Sequence, residues 1–172
     1  MEIGVADVAS FLKQKYGHSL INYGTAASHA AARALAFGAP IPAGVIGPHA
    51  GIPEILPKSG PATNQPATHE QIEAIQKRLR GELDAGGLTI GMGIQYTPGA
   101  TRLEVIDMFR LAAERGVPVY THASFGSSEP GSDIESVSEV IGASAITGAS
   151  LHIVQLTPRN VVGIRAYQGC VI

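Results

Sequence analysis

The side chains that can ligate a metal or move a proton are few enough here to weigh singly: six histidines, one cysteine and fourteen acids among 172 residues. His122 stands out by position, because it closes the run Val119-Tyr120-Thr121-His122 just ahead of a segment rich in serine and glycine. If that run is a parallel strand, its carboxyl end is where an α/β protein collects functional groups. An imidazole there can bind a divalent metal, carry a proton or merely hydrogen-bond its neighbours, and position alone does not choose. His29 and Arg33 lie four residues apart in an Ala-rich stretch, so both fall on one helical face, where they either reach a site or stabilise the turn. His152 and Gln155 share a run but differ by three positions, and a side-chain period of two sends them to opposite faces. His152 is nearer the start, which makes Gln155 the expected site-facing residue and His152 a structural one. His49 and His69 read as loop and helix-start residues, and His18 as solvated.

Several chemistries are excluded by pattern. There is no Gly-x-Ser-x-Gly elbow, no His-Glu-x-x-His, and no glycine-rich phosphate loop after any strand. With Cys170 as the one cysteine, neither an internal disulfide nor a Cys-rich metal cluster can form, and a reducing, cytoplasmic compartment is expected.

The elements that must position these residues follow from periodicity. Val5, Val8, Phe11 and Leu12 recur at helical spacing and predict an amphipathic helix ending near Gly17, followed by a short strand over Ser19–Gly24 and helical turns over Ser28–Phe37. Residues 38–66 are crowded with proline and glycine, which predicts an irregular surface excursion over a site mouth. Thr68 with Gln71 forms a capping box for a helix buried through Ile72, Ile75, Leu79 and Leu83 and stopped at Gly86-Gly87. A second box, Thr101 with Glu104, opens a helix with Val105, Ile106, Phe109 and Ala113 on its apolar side and Gly116 at its end. A third, Ser132 with Glu135, opens one with Ile134, Val137 and Ile141 inside and Gly148 as the stop. Pro158 suits the first turn of a last helix.

Strands are expected at Leu88–Met92, Val117–Thr121 and Ser150–Leu156, spaced by the length of a βα unit. They are apolar nearly throughout, as parallel strands buried on both faces are. The pattern predicts an α/β fold, either a partial (β/α) barrel or a small open sheet, in one domain over 1–172. A complete barrel of this kind takes about 250 residues.

Composition agrees with a folded domain. Apolar residues make up 45% and charged ones 15% of the chain, and the formal charge is −2 with no basic stripe, so nucleic acid is not an expected partner. No run of eighteen apolar residues suggests a membrane span.

Taken as a set, four segments carry a family resemblance. They are Asn22-Tyr23-Gly24 with Ser28-His29 and Arg33, Gly91–Ala100 with its Tyr96-Thr97-Pro98-Gly99, Tyr120-Thr121-His122, and Thr147–Val154. In order and spacing they resemble the N-acyl-D-amino-acid deacylase branch of the metal-dependent amidohydrolases, from about Val5 to Arg165. The resemblance implies a (β/α) barrel, of which this chain would hold roughly strands three to six of eight, and a zinc-dependent hydrolase of the amide bond in small N-acyl-D-amino acids. Zinc would polarise the carbonyl and lower the pKa of bound water. By the same resemblance His122 corresponds to a metal ligand, and His29, Arg33 and Tyr96 to substrate-binding positions. Gln155 stands where the family has a second ligating histidine, and an amide oxygen binds zinc much less well than imidazole. The family's first-strand His-x-His pair and eighth-strand Asp have no counterpart in this sequence. An isolated chain is therefore expected to be inactive, with sheet edges open to pairing with another copy. The alternative is a non-catalytic α/β binding or assembly module that has lost the metal.

Overall fold

The computed structural model describes residues 3–39, 60–122 and 132–154. Four parallel strands form one sheet in the order β1-β2-β3-β4: β1 Ala27–Ser28, β2 Ile90–Gly93, β3 Val119–His122 and β4 Leu151–Ile153. Each strand pairs with its successor in sequence. That order fits consecutive units of a (β/α) barrel, whereas a doubly wound sheet reverses its order partway. Val5 makes an isolated parallel bridge to Ala27, so the outer edge of β1 is already paired at that point.

The helices are α1 Val8–Lys15, α2 His29–Ala36, the single turn α3 Pro61–Asn64, α4 His69–Asp84, α5 Arg102–Arg115 and α6 Ser132–Thr147. Ala27, Ile90, Met92 and Val119 point from the sheet into a core with Ile75, Leu79, Met108 and Phe109, which defines the helix-covered face. By strand alternation Gly91, Gly93, Tyr120, His122 and His152 belong to the opposite face. Among the described residues no helix is long and apolar enough to cross a membrane.

Local signals in the sequence fix most helix ends. The Thr68–Gln71 box forms with both reciprocal bonds, Asp7 and Ser28 cap α1 and α2, and Gly116 ends α5 in the left-handed region at φ 64°. Three expectations need correction. The first strand is not Ser19–Gly24 but Ala27–Ser28: Leu20 and Ile21 are exposed, and pairing with β2 selects small residues that let the Ala-rich α2 approach. The excursion is not wholly on the surface, because Ala62 and Thr63 are buried in α3. The apolar stripes are also broader than expected: α5 buries Met108, Leu111 and Ala112 with Val105 and Phe109, and Ile106 and Ala113 pack against the same core, while α6 buries Val140 and Ala143 with Val137 and leaves Ile141 half in solvent. Residues 40–59 of the excursion, with His49, lie outside the described residues, as do the side chain of Ile134 and the expected helix at Pro158.

The turn after β2 shows why α3 is held down. Gly99 donates its N–H to the Thr63 carbonyl at 2.8 Å, and a Cβ at Gly99 would sit 2.5 Å from the backbone of Asn64 and Gln65. Gly99→Ala is expected to destabilise the fold by about 1–3 kcal/mol through overpacking. Gly81→Ala, in open space on α4, should instead stabilise it by roughly 0.5–1 kcal/mol. Urea unfolding of the two variants beside the parent checks both signs.

Candidate functional site

Two polar assemblies sit at the carboxyl end of the sheet. The first surrounds His122, the last residue of β3 and only 6% exposed. Its ring meets the Tyr96 ring edge to face, with centroids 5.5 Å apart. Tyr96 comes from the 3₁₀ turn Ile94–Tyr96 directly after β2, and it reaches His122 by lying over Gly93, the strand partner of His122. A Cβ on Gly93 would come within 2.9 Å of the Tyr96 ring, so the glycine makes this approach available. The imidazole of His122 thus leaves the sheet on the face away from the helices.

The second assembly is a buried ion-pair cluster. Glu104, in the first turn of α5, is fully buried. One carboxylate oxygen accepts from His29 Nε2 at 2.9 Å and the other from an Arg33 guanidinium nitrogen. The remaining Arg33 donors go to the carbonyls of Ala62, at 2.7 Å from Nε, and of Gln65, and the guanidinium carbon lies 4.8 Å from the centre of the Phe37 ring. Burial by itself would push the Glu104 carboxyl up, but His29 and Arg33 outweigh it and hold the group below its ordinary value. The Thr101–Glu104 capping signal is therefore half fulfilled: Thr101 accepts the Glu104 backbone N–H at 3.2 Å, while the Glu104 side chain goes to the cluster. That double duty hides Glu104 in the sequence, where its spacing from Thr101 reads as a cap and not as a site residue. The His29/Arg33 pair four apart was the available signal that an acid must lie nearby.

Each expected residue can now be placed. Tyr96 and His122 come together. His29 and Arg33 come together as well, yet both side chains are 0% exposed and turned to Glu104. His152, expected to be structural and turned from the site, lies on the same face as Tyr120 and His122 and stacks on Tyr120 with ring centres 4.4 Å apart, because the register pairs Tyr120 with His152. Gln155 itself lies outside the described residues. Among the described residues no three His, Cys, Asp or Glu side chains gather to hold a metal ion.

Since the folded pKa of Glu104 is depressed, its contribution to stability is fully present above the unfolded value of about 4.3 and is lost as pH falls through the lower folded value. Glu104→Ala, which leaves Arg33 buried without its counter-charge, should cost about 3–5 kcal/mol. Denaturant midpoints recorded from neutral to acid pH check this. The parent should lose stability on the acid side that Glu104→Gln, already weakened, does not.

No protein-family model matches the sequence, and no curated protein matches it. Solved structures do match in fold. N-acyl-D-glutamate deacylase from Bordetella bronchiseptica, determined with zinc and a phosphonate mimic of the tetrahedral intermediate, superposes with a TM-score of 0.63 at 22% identity. The match takes in 95% of this chain and 30% of that one. D-aminoacylase, described as defining a novel subset of amidohydrolases, superposes at 0.59 with 15% identity, over 86% of this chain and 26% of its own. A form of D-aminoacylase in complex with copper gives the same TM-score at 16% identity. The chain spans less than a third of either enzyme, and what it shares with them is fold: four consecutive parallel βα units of the kind from which these amidohydrolases are built.

Proposed function

We propose that this chain supplies consecutive βα units of a zinc-dependent amidohydrolase that cleaves the amide bond of small N-acyl-D-amino acids, with His122 as a metal ligand. The observation that carries the reading is the placement of His122. It ends a parallel strand, at the carboxyl edge, on the face away from the helices, where this architecture puts its chemistry. Tyr96, whose ring meets that of His122, is its substrate-binding residue in this proposal. Gln155 belongs to the same proposal as a neutral, weak ligand position. His29 and Arg33, expected at the substrate, serve this site by tying α2 to α5 through Glu104. The setting is cytoplasmic, and no metal-dependent step is assigned to this chain alone.

A second reading, a non-catalytic α/β module that has lost the metal, is favoured by Gln155, an amide where the resemblance implies a second ligating histidine. Metal binding separates the two. Zinc titrated against a chromogenic chelator should bind weakly and in a His122-dependent way, so that His122→Ala lowers the affinity about tenfold or more. Equal zinc uptake by parent and His122→Ala would remove the ligand role, whereas stoichiometric tight zinc would remove the module reading. Purified chain with added zinc should not hydrolyse N-acetyl-D-amino acids. Turnover that His122→Ala abolishes would show that the chain is catalytic by itself.

A further inference from the structure

Two imidazoles share one face of the sheet. β3 pairs with β4 in the register Tyr120↔His152, and the ladder runs on past Ile153, where the Val154 N–H donates to the Thr121 carbonyl at 2.9 Å. His122 stands two residues beyond Tyr120, so His152 is its diagonal neighbour across one parallel pair, on the side away from the helices. With strands about 4.8 Å apart and a rise of about 3.3 Å per residue, the two Cα atoms are separated by roughly 8 Å. Diagonal neighbours of this kind have Cβ atoms about 7–8 Å apart or somewhat less. Each ring carries its nitrogens out beyond Cβ, and one ion at about 2.0–2.1 Å from a nitrogen of each ring spans such a gap.

The two rings are held by different neighbours. His122 is buried and packs edge to face with Tyr96, whereas His152 is exposed and lies flat on Tyr120, the ring planes 9° apart. A stack engages the faces of an imidazole and leaves both nitrogens at its edge. His152 makes no hydrogen bond or ion pair with any described residue, so the Tyr120 stack is what holds its ring. A ring already restrained in this way loses less rotamer freedom when it takes a ligand. The donor type also fits, since imidazole nitrogen suits zinc far better than the amide oxygen of Gln155.

We infer that His152 supplies the second imidazole for a divalent metal of the zinc class held at His122, the part that the resemblance gives to position 155. The inference rests on the amidohydrolase reading for the metal and departs from it in the residue that binds. Zinc affinity of the full chain, measured by competition with a chromogenic chelator, tests it together with the imidazole nitrogen shifts seen by NMR as zinc is added. His152→Phe keeps an aromatic ring on Tyr120 and removes the nitrogens, which separates ligation from packing. His152→Phe and His122→Ala are each expected to weaken zinc binding about tenfold or more, while Gln155→Ala leaves it unchanged and the ring nitrogens of both histidines shift in the parent. Zinc held by His152→Phe as tightly as by the parent, with His122→Ala weakened, would overturn the inference and leave the amidohydrolase reading standing. A loss in Gln155→Ala as large as that in His152→Phe would return the second ligand to position 155 and overturn it too. A parent that binds no zinc would remove the inference and the ligand role of His122 together.

Discussion

A single buried carboxylate ties the carboxyl end of this sheet together. Glu104 accepts from His29 and Arg33 with no solvent access, and Arg33 then reaches the carbonyls of Ala62 and Gln65. Three separated stretches of chain, α2, the 60–66 segment and the start of α5, are thereby fixed to one another. Leaving such an acid unpaired in the interior is costly, which is why both of its oxygens are engaged. The arrangement also fixes where the β2 turn begins its descent into α5, and with it the ring of Tyr96 against His122. A network of this kind is weak evidence for stability relative to an apolar core. Its clearer effect is on specification, since few alternative packings satisfy an Arg, a His and a Glu at once.

The amino end of the helix layer repeats the device on a smaller scale. Glu82, nearly buried in α4, accepts the first helical N–H of α1 at 2.7 Å, while Arg78 pairs with it and donates to the Ala6 carbonyl at 2.8 Å. Val5, just ahead of these contacts, forms the bridge to Ala27. Charged side chains from α4 therefore position the stretch that protects the outer edge of β1, leaving less of that edge available for pairing than the sequence suggests.

Legibility in the sequence followed the kind of signal available. Helix ends were readable because capping boxes and terminal glycines act within a few residues, as at Thr68, Gln71, Gly116 and Gly148. Strand β1 was not, because a two-residue strand of Ala27 and Ser28 has no periodicity of its own and exists through its register with Ile90 and Gly91. The full width of the α5 and α6 stripes was not readable where alanine packs inward, since Ala112 and Ala143 give little hydropathic contrast. At the site, His122 and Tyr96 could be named from strand-end position and resemblance. Glu104 could not, for its cap-like spacing concealed a long-range partner, and the face of His152 depended on a register that no local pattern encodes.

The close seat of Gly99 on the Asn64–Gln65 backbone has an evolutionary corollary. Chain leaving at Ala39, whose N–H is bound to the Ala34 carbonyl at 2.9 Å, comes back at Gly60 to a hinge post that the core already holds. The return point is set by Gly99 and Arg33, which grip the backbone at Ala62, Thr63 and Gln65, so descendants that keep these two residues keep the post.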